Sequence, residues 1–184
     1  VVLNNTFLNA TAVHIYILYP VRAIIENNTF IGMRGIQTYL GTNYTIRGNS
    51  FYNITGQYLF GIQTEYRDVG AQIYNNYFEN TYYGLWLISS NTTIFNNTFV
   101  NPASIGIYTG LAARSTTNNS IYNNTFKDIN ATGFGIYFGG NWQNTSTNYS
   151  VYQNTFFNVS GEAIYLQDTH NSSFYNNLYS WINC

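Results

Sequence analysis

Short apolar runs alternate with polar clusters along the entire chain, and the alternation is itself repeated. One unit reads apolar-x-x-Asn-x-aromatic. It occurs at Val2/Asn5/Phe7, Ile25/Asn28/Phe30, Ile46/Asn49/Phe51, Ile73/Asn76/Phe78, Ile94/Asn97/Phe99, Ile121/Asn124/Phe126, Val151/Asn154/Phe156 and Phe174/Asn177/Tyr179. The asparagines are separated by 23, 21, 27, 21, 27, 30 and 23 residues. A second unit lies between copies: Gly35-Ile36-Gln37-Thr38, Gly61-Ile62-Gln63-Thr64, Gly84-Leu85-Trp86-Leu87, Gly106-Ile107-Tyr108-Thr109 and Gly135-Ile136-Tyr137-Phe138, with Ala163-Ile164-Tyr165-Leu166 carrying Ala in the Gly place. Each unit predicts a short strand with period-2 alternation, and no convincing helical period appears. The inserts of variable length are rich in Gly, Asn, Ser and Thr and predict loops. A constant unit with elastic spacing is the signature of a solenoid.

The apolar residue and the aromatic of the first unit are five apart. On one straight strand an odd separation sends them to opposite faces, yet both read as core. The chain must bend between them, and the Asn is placed at that bend because it tolerates left-handed backbone. Coils stack about 4.8 Å apart, so the amides of Asn5, Asn28, Asn49, Asn76, Asn97, Asn124, Asn154 and Asn177 are expected to bond from coil to coil as a ladder. Of the seven to eight coils expected, eight would make a rod of roughly 38 Å.

The run Ile121-Tyr122-Asn123-Asn124-Thr125-Phe126 followed by Gly135-Ile136-Tyr137 resembles the repeats of right-handed parallel β-helix proteins, the pectate-lyase-like and NosD-type repeats. The resemblance covers nearly the whole chain. It implies an all-β, single-stranded right-handed parallel β-helix over residues 1–184, either a fragment of a longer chain or a filament subunit. It says little about function, because this fold hosts lyases, hydrolases, tailspikes, adhesins and structural rods.

Composition narrows the choice. Six basic and seven acidic residues leave a net charge of −1, and only 7% of residues are charged. Nucleic acid is not an expected partner, because that contact rests on phosphate neutralisation. No apolar run is long enough to span a bilayer, so no membrane insertion is expected. Cys184 is the single cysteine, which excludes an internal disulfide framework and a cysteine zinc site; as a terminal thiol it could link subunits, or in a truncated chain equally be an interior residue of something larger. No metal or other cofactor is expected. The Asn-, Thr-, Tyr- and Ile-rich composition is similar to that of secreted archaeal surface glycoproteins.

The resemblance also defines what an enzyme would need. Lyases of this architecture use clustered carboxylates to hold calcium, with a Lys or Arg as base; hydrolases use two or three Asp on adjacent coils. Here Asp-Asp and Gly-His-Gly are absent, and the acids are scattered. The densest cluster is Glu65, Arg67 and Asp68, a pair of carboxylates beside a guanidinium and the runner-up catalytic site; its bland alternative is a locally neutralised turn. Asp168 and His170 could form a polar dyad or half a metal site, and His14 reads as an ordinary residue of the first coil.

Fourteen Asn-x-Ser/Thr triplets are present. Asn4, Asn27, Asn96 and Asn123 abut the bend and are expected to be shielded. Asn9, Asn43, Asn53, Asn91, Asn118, Asn130, Asn144, Asn148, Asn158 and Asn171 fall in predicted loops or loop edges and are the expected sites of covalent N-glycans. Asn and Thr also serve as turn residues, which would produce triplets without sugar.

Alternation aligns two outward columns: Gln37, Gln63, Trp86, Tyr108, Tyr137 and Tyr165, and Arg47, Tyr74, Phe95, Tyr122, Tyr152 and Tyr175. Flat aromatic stripes suit a sugar-stacking platform, a subunit interface or simple bracing of the strands. Arg114, Asn141 and Trp142, in the two longest loops, are the candidate ligand-binding residues. The expectation is therefore a non-enzymatic, N-glycosylated structural or adhesive protein of a cell surface, filament or virion, extracellular, with self-association or carbohydrate as partner. The alternative is a carbohydrate-binding module or a polysaccharide lyase or hydrolase.

Overall fold

The computed structural model describes residues 1–9, 11–65, 67–110, 116–139 and 146–182, without the side chains of 181 and 182. The described residues form a parallel β-solenoid of about seven turns, and every strand pairing is parallel. One sheet stacks eight strands from Val2–Leu3 through Ile24–Glu26 to Ser173–Tyr175. A second stacks eight from Thr6–Leu8 through Thr29–Ile31 to Leu178–Ile182. A third stacks seven from Val13–Leu18 to Glu162–Leu166. A narrow fourth run begins as single bridges linking Val21, Thr42, Val69 and Ser90 and widens into Thr116–Thr117, Ser146–Thr147 and Thr169–His170.

Each sheet contributes one inward file. Ile25, Ile46, Ile73, Ile94, Ile121 and Val151 come from the first sheet, and Ile36, Ile62, Leu85, Ile107 and Ile136 from the third; all are buried. From the second sheet come Phe30, Phe51, Phe78, Phe99, Phe126 and Phe156, whose rings stack with centroids 4.7 to 4.9 Å apart and planes within 8°. Parallel rungs impose the same separation on side chains as on backbones, so equal rings in register must stack. Burying each such side chain stabilises the fold by about 1.5–3 kcal/mol. The recurring glycine before the third-sheet file follows from this stack. A Cβ on Gly84 would lie 2.6 Å from the Phe99 ring and 2.6 Å from the carbonyl of Gly106.

The bend differs from the expectation in one respect. The left-handed residue is not the repeated Asn but the one before it: Asn4, Asn27, Gly48, Asn75, Asn96, Asn123, Gln153 and Asn176 all have φ between 53° and 63°. That residue inverts the alternation, so the following Asn points inward together with the apolar residue three positions earlier. The Nδ2 of Asn97 then donates to the carbonyls of Ile73 (2.9 Å) and Phe95 (3.1 Å) and to Asn124 Oδ1 (3.0 Å). Asn97 Oδ1 accepts from the backbone N–H and the Nδ2 of Asn76, both at 3.0 Å. Amide-to-amide bonds of this kind join Asn5, Asn28, Asn49, Asn76, Asn97, Asn124, Asn154 and Asn177 in order.

Two further files of left-handed residues turn two other corners. One holds Asn9, Gly32, Asn53, Asn80, Asn101, Asp128 and Asn158 at the second sheet; the other holds Arg22, Asn43, Gly70, Asn91, Asn118, Asn148 and Asn171, entering the first sheet. Along the latter file, backbone N–H groups donate to the next coil, as from Asn43 to Val69 O (3.0 Å) and from Asn91 to Thr117 O (3.0 Å). Left-handed backbone strongly favours Gly and Asn, which accounts for much of the chain's asparagine.

Candidate functional site

The outer face of the third sheet carries a dense array of buried and half-buried aromatic side chains. Its strands bend at the recurring glycine, so the residue before that glycine also faces outward. Phe60, Tyr83, Ile105 and Phe134 therefore form a second column beside Trp86, Tyr108, Tyr137 and Tyr165. Alternation in the sequence identifies only the latter column; the apolar residue preceding Gly61, Gly84, Gly106 and Gly135 signals the former. Phe60, Tyr83 and Ile105 are buried, and the rings above them lean over them. Tyr83 meets Trp86 at 5.5 Å and 68°, Phe134 meets Tyr137 at 5.0 Å and 87°, and Tyr108 meets Tyr137 at 5.5 Å and 62°. This face is thus a tilted, two-deep panel rather than the flat stripe expected.

Polar anchors fix its edges. Trp86 Nε1 donates to the Gly110 carbonyl (3.2 Å), and Tyr137 donates to Gln167 Oε1 (2.9 Å). The Arg34 guanidinium lies 5.6 Å from the centre of the Phe60 ring at one end, and Glu162 closes the other. Burial, reinforced by neighbouring phenols, raises the pKa of Tyr83, Tyr108 and Tyr137 above the ordinary tyrosine value, so these three phenols stay neutral.

The first-sheet column behaves differently. Tyr74, Phe95, Tyr122, Tyr152 and Tyr175 stack at 4.6 to 5.2 Å with planes within 13°. Their π faces cover one another along the axis, leaving edges and hydroxyls outward. Arg47 ends the stack: its guanidinium donates to Tyr74 Oη (2.9 Å) and pairs with Glu26 (2.8 Å). Stacking a sugar needs a free ring face, and inside this column there is none.

The carboxylate cluster is split by the fold. Asp68 is fully buried. Its oxygens accept from Thr38 Oγ1 (2.5 Å), Tyr44 Oη (3.0 Å), the Glu65 N–H (3.0 Å) and the Gly41 N–H. Burial and the Asp68 charge push the Tyr44 phenol well above its ordinary value, keeping it a donor. Glu65 turns outward to accept from Gln37 Nε2 (3.0 Å), and Arg67 is exposed with φ of 70°. The two carboxylates do not converge, because Asp68 is needed inside to pair polar groups that close the corner. A second interior polar knot lies three coils on, where the buried Tyr149 hydroxyl bonds Thr116 Oγ1 (2.6 Å) and Asn119 Nδ2 (2.9 Å). His14 Nδ1 lies 2.9 Å from the Arg34 carbonyl, and Asp168 and His170 are exposed. Among the described residues no three His, Cys, Asp or Glu side chains group closely enough to hold a metal ion.

Of the expected sugar acceptors, Asn9, Asn43, Asn53, Asn91, Asn118, Asn130, Asn148, Asn158 and Asn171 are exposed. Asn53 and Asn158 lie within strands of the second sheet rather than in loops, each at a left-handed kink. The expectation that Asn4, Asn27, Asn96 and Asn123 are shielded is wrong: the left-handed turn directs each outward, and all four are exposed. Arg114, Asn141, Trp142, Asn144 and Cys184 lie outside the described residues.

Residues 1–126 and 72–179 match the family model described as right handed beta helix region, and the chain belongs to that family. No curated protein matches its sequence significantly. Among solved structures it is similar to the Streptococcus pneumoniae surface protein and adhesin PfbA, with a TM-score of 0.68 and 14% identity over 93% of this chain. It is also similar to a glycoside hydrolase, with a TM-score of 0.56 and 15% identity over 95% of this chain. The chain spans 62% of the length of the adhesin and 39% of that of the hydrolase. At these identities the shared property is the fold.

Proposed function

We propose that the chain is a non-enzymatic structural or adhesive rod, a single β-helix unit acting outside the cell at a surface, filament or virion. In this reading it carries covalent N-glycans, needs no cofactor, and contacts a carbohydrate or another copy of itself. The observation that carries the reading is the third-sheet panel, where seven rings spread over five coils between Arg34 and Glu162. Such a face gains from apolar and ring contact, not from charge, and aromatic rings are enriched where proteins meet partners. The solid interior supports it: stacked rings and paired amides resist bending, which suits a rigid support. The inward turn of Asp68 supports the non-catalytic reading, since that carboxylate is engaged by four donors.

The test compares the protein with a Trp86→Ala/Tyr137→Ala double variant. Both would be applied to immobilised neutral polysaccharides and to analytical ultracentrifugation, with circular dichroism as the folding control. The expected result is retention on a polysaccharide, or self-association, that the folded variant loses. Release of reducing or unsaturated ends from a polysaccharide by the wild-type protein would refute the non-enzymatic reading. Equal behaviour of the two proteins would remove the panel from it.

A further inference from the structure

Twelve of the fourteen Asn-x-Ser/Thr triplets start at a left-handed corner residue; the others start at Asn130 and at Asn144, the latter outside the described residues. Corners favour Asn or Gly, and the strand that follows favours Thr, so the fold alone generates triplets. The coils provide an internal control. Where a corner holds Asn, a Ser or Thr two residues later can serve either the strand or a sugar; where it holds another residue, only the strand is served.

At the corner between the first and second sheets, Ser or Thr appears irrespective of Asn. It follows Asn4, Asn27, Asn96 and Asn123, but also Gly48 (Ser50) and Gln153 (Thr155), and it is missing after Asn75 and Asn176. Those triplets are a by-product of the turn. At the second-sheet corner the association is partial, with Ser or Thr after Asn9, Asn53 and Asn158 but not after Asn80 or Asn101; at the corner entering the first sheet it is complete. Asn43, Asn91, Asn118, Asn148 and Asn171 are followed at that distance by Thr45, Thr93, Ser120, Ser150 and Ser173, whereas Arg22 and Gly70 are followed by Ile24 and Gln72. All five asparagines are exposed. The middle residues Tyr44, Thr92, Asn119 and Tyr149 are buried beneath them.

We propose that this one edge of the rod, the file Asn43, Asn91, Asn118, Asn148 and Asn171, is its N-glycosylated edge, and that sugars occupy it on non-adjacent coils only. The inference rests on the glycoprotein reading above and assigns its sites. The modification forms a bond between Asn Nδ2 and the anomeric carbon of a sugar. It breaks that carbon's bond to a phosphate leaving group and releases one amide proton. Asn91, Asn118, Asn148 and Asn171 lie on four successive coils, and Asn148 Nδ2 touches Asn118 Oδ1 at 3.0 Å. A pyranose with its substituents is wider than the roughly 4.8 Å between coils. Two neighbouring amides therefore cannot both carry one, whereas Asn43 is set apart from Asn91 by the coil of Gly70.

The experiment is site-resolved mass spectrometry of the protein isolated from the organism that makes it, with intact mass to count sugars per molecule. The expected result is severalfold higher occupancy on this file than on Asn4, Asn27, Asn96 and Asn123. No molecule should carry sugar on two consecutive members of Asn91, Asn118, Asn148 and Asn171. Comparable occupancy of the two corners, or consecutive occupancy in one molecule, overturns the assignment while leaving the chain a glycoprotein. Unmodified asparagine at every triplet overturns the glycoprotein reading itself.

Discussion

Replacing Asn97 by Ala removes one link of the buried amide file and nothing else of comparable size. Asn97 sits in the middle of the rod and is 1% exposed, and its amide takes part in five hydrogen bonds. Truncation leaves the Asn76 N–H without its acceptor in a buried position, at about 1–3 kcal/mol, and deletes donations to two carbonyls worth about 1 kcal/mol each. The expected loss is about 3–5 kcal/mol, a large share of the stability of an ordinary domain. Asn5→Ala is the control: the same residue type in the same file, but exposed at the first coil, with an expected loss below about 1 kcal/mol. Urea unfolding followed by circular dichroism and by tyrosine and tryptophan fluorescence measures both. Because solenoids can unfold in segments, hydrogen exchange should show the opening centred on the coils of Asn76 and Asn97. An Asn97→Ala midpoint no lower than that of Asn5→Ala would refute the account of the file as a buried, mutually satisfied network.

Other outcomes follow from the same geometry. Gly84→Ala forces a methyl group into the Phe99 ring and the Gly106 carbonyl, so it should cost about 1–3 kcal/mol in urea unfolding. Asp68→Ala strands the backbone N–H groups of Gly41 and Glu65, and should destabilise by about 2–6 kcal/mol. Glu65→Ala, which loses one bond to Gln37 at the surface, should cost below about 1 kcal/mol. Were the two residues to behave alike, the assignment of Asp68 to the interior would be wrong. Burial raises Tyr44, Tyr83, Tyr108, Tyr137 and Tyr149 above the ordinary tyrosine value of 10.0. The folded state therefore keeps phenolic protons that the unfolded chain releases. Stability contributed by these groups is intact below pH 10 and declines as pH rises beyond it. Ultraviolet titration should show these five phenols ionising above pH 10, together with unfolding; their ionisation near pH 10 in the intact fold would contradict the account.

The sequence by itself determined the solenoid. Equivalent apolar and aromatic positions recur at spacings that vary only by loop length, and a parallel stack is the arrangement that sets the Phe30-to-Phe156 file and the Ile25-to-Ile121 file each in register. It also marked the eight asparagines as a set and named the outward rings Tyr74, Phe95, Tyr122, Tyr152 and Tyr175. It could not say which residue of the Asn-Asn pair turns the corner, because both are compatible with left-handed backbone and only the register of the next coil separates them. Nor could it distinguish two kinds of aromatic column. On the first sheet strict alternation stacks the rings face to face, whereas on the third the bend at the glycine brings Phe60, Tyr83 and Phe134 outward and tips Trp86 and Tyr108 over them. The separation of Glu65 from Asp68 is likewise a tertiary outcome. Three residues of chain suffice to pass from the surface to the interior, and Asp68 turns inward because Thr38, Gly41 and Tyr44, one coil below, present donors that water cannot reach.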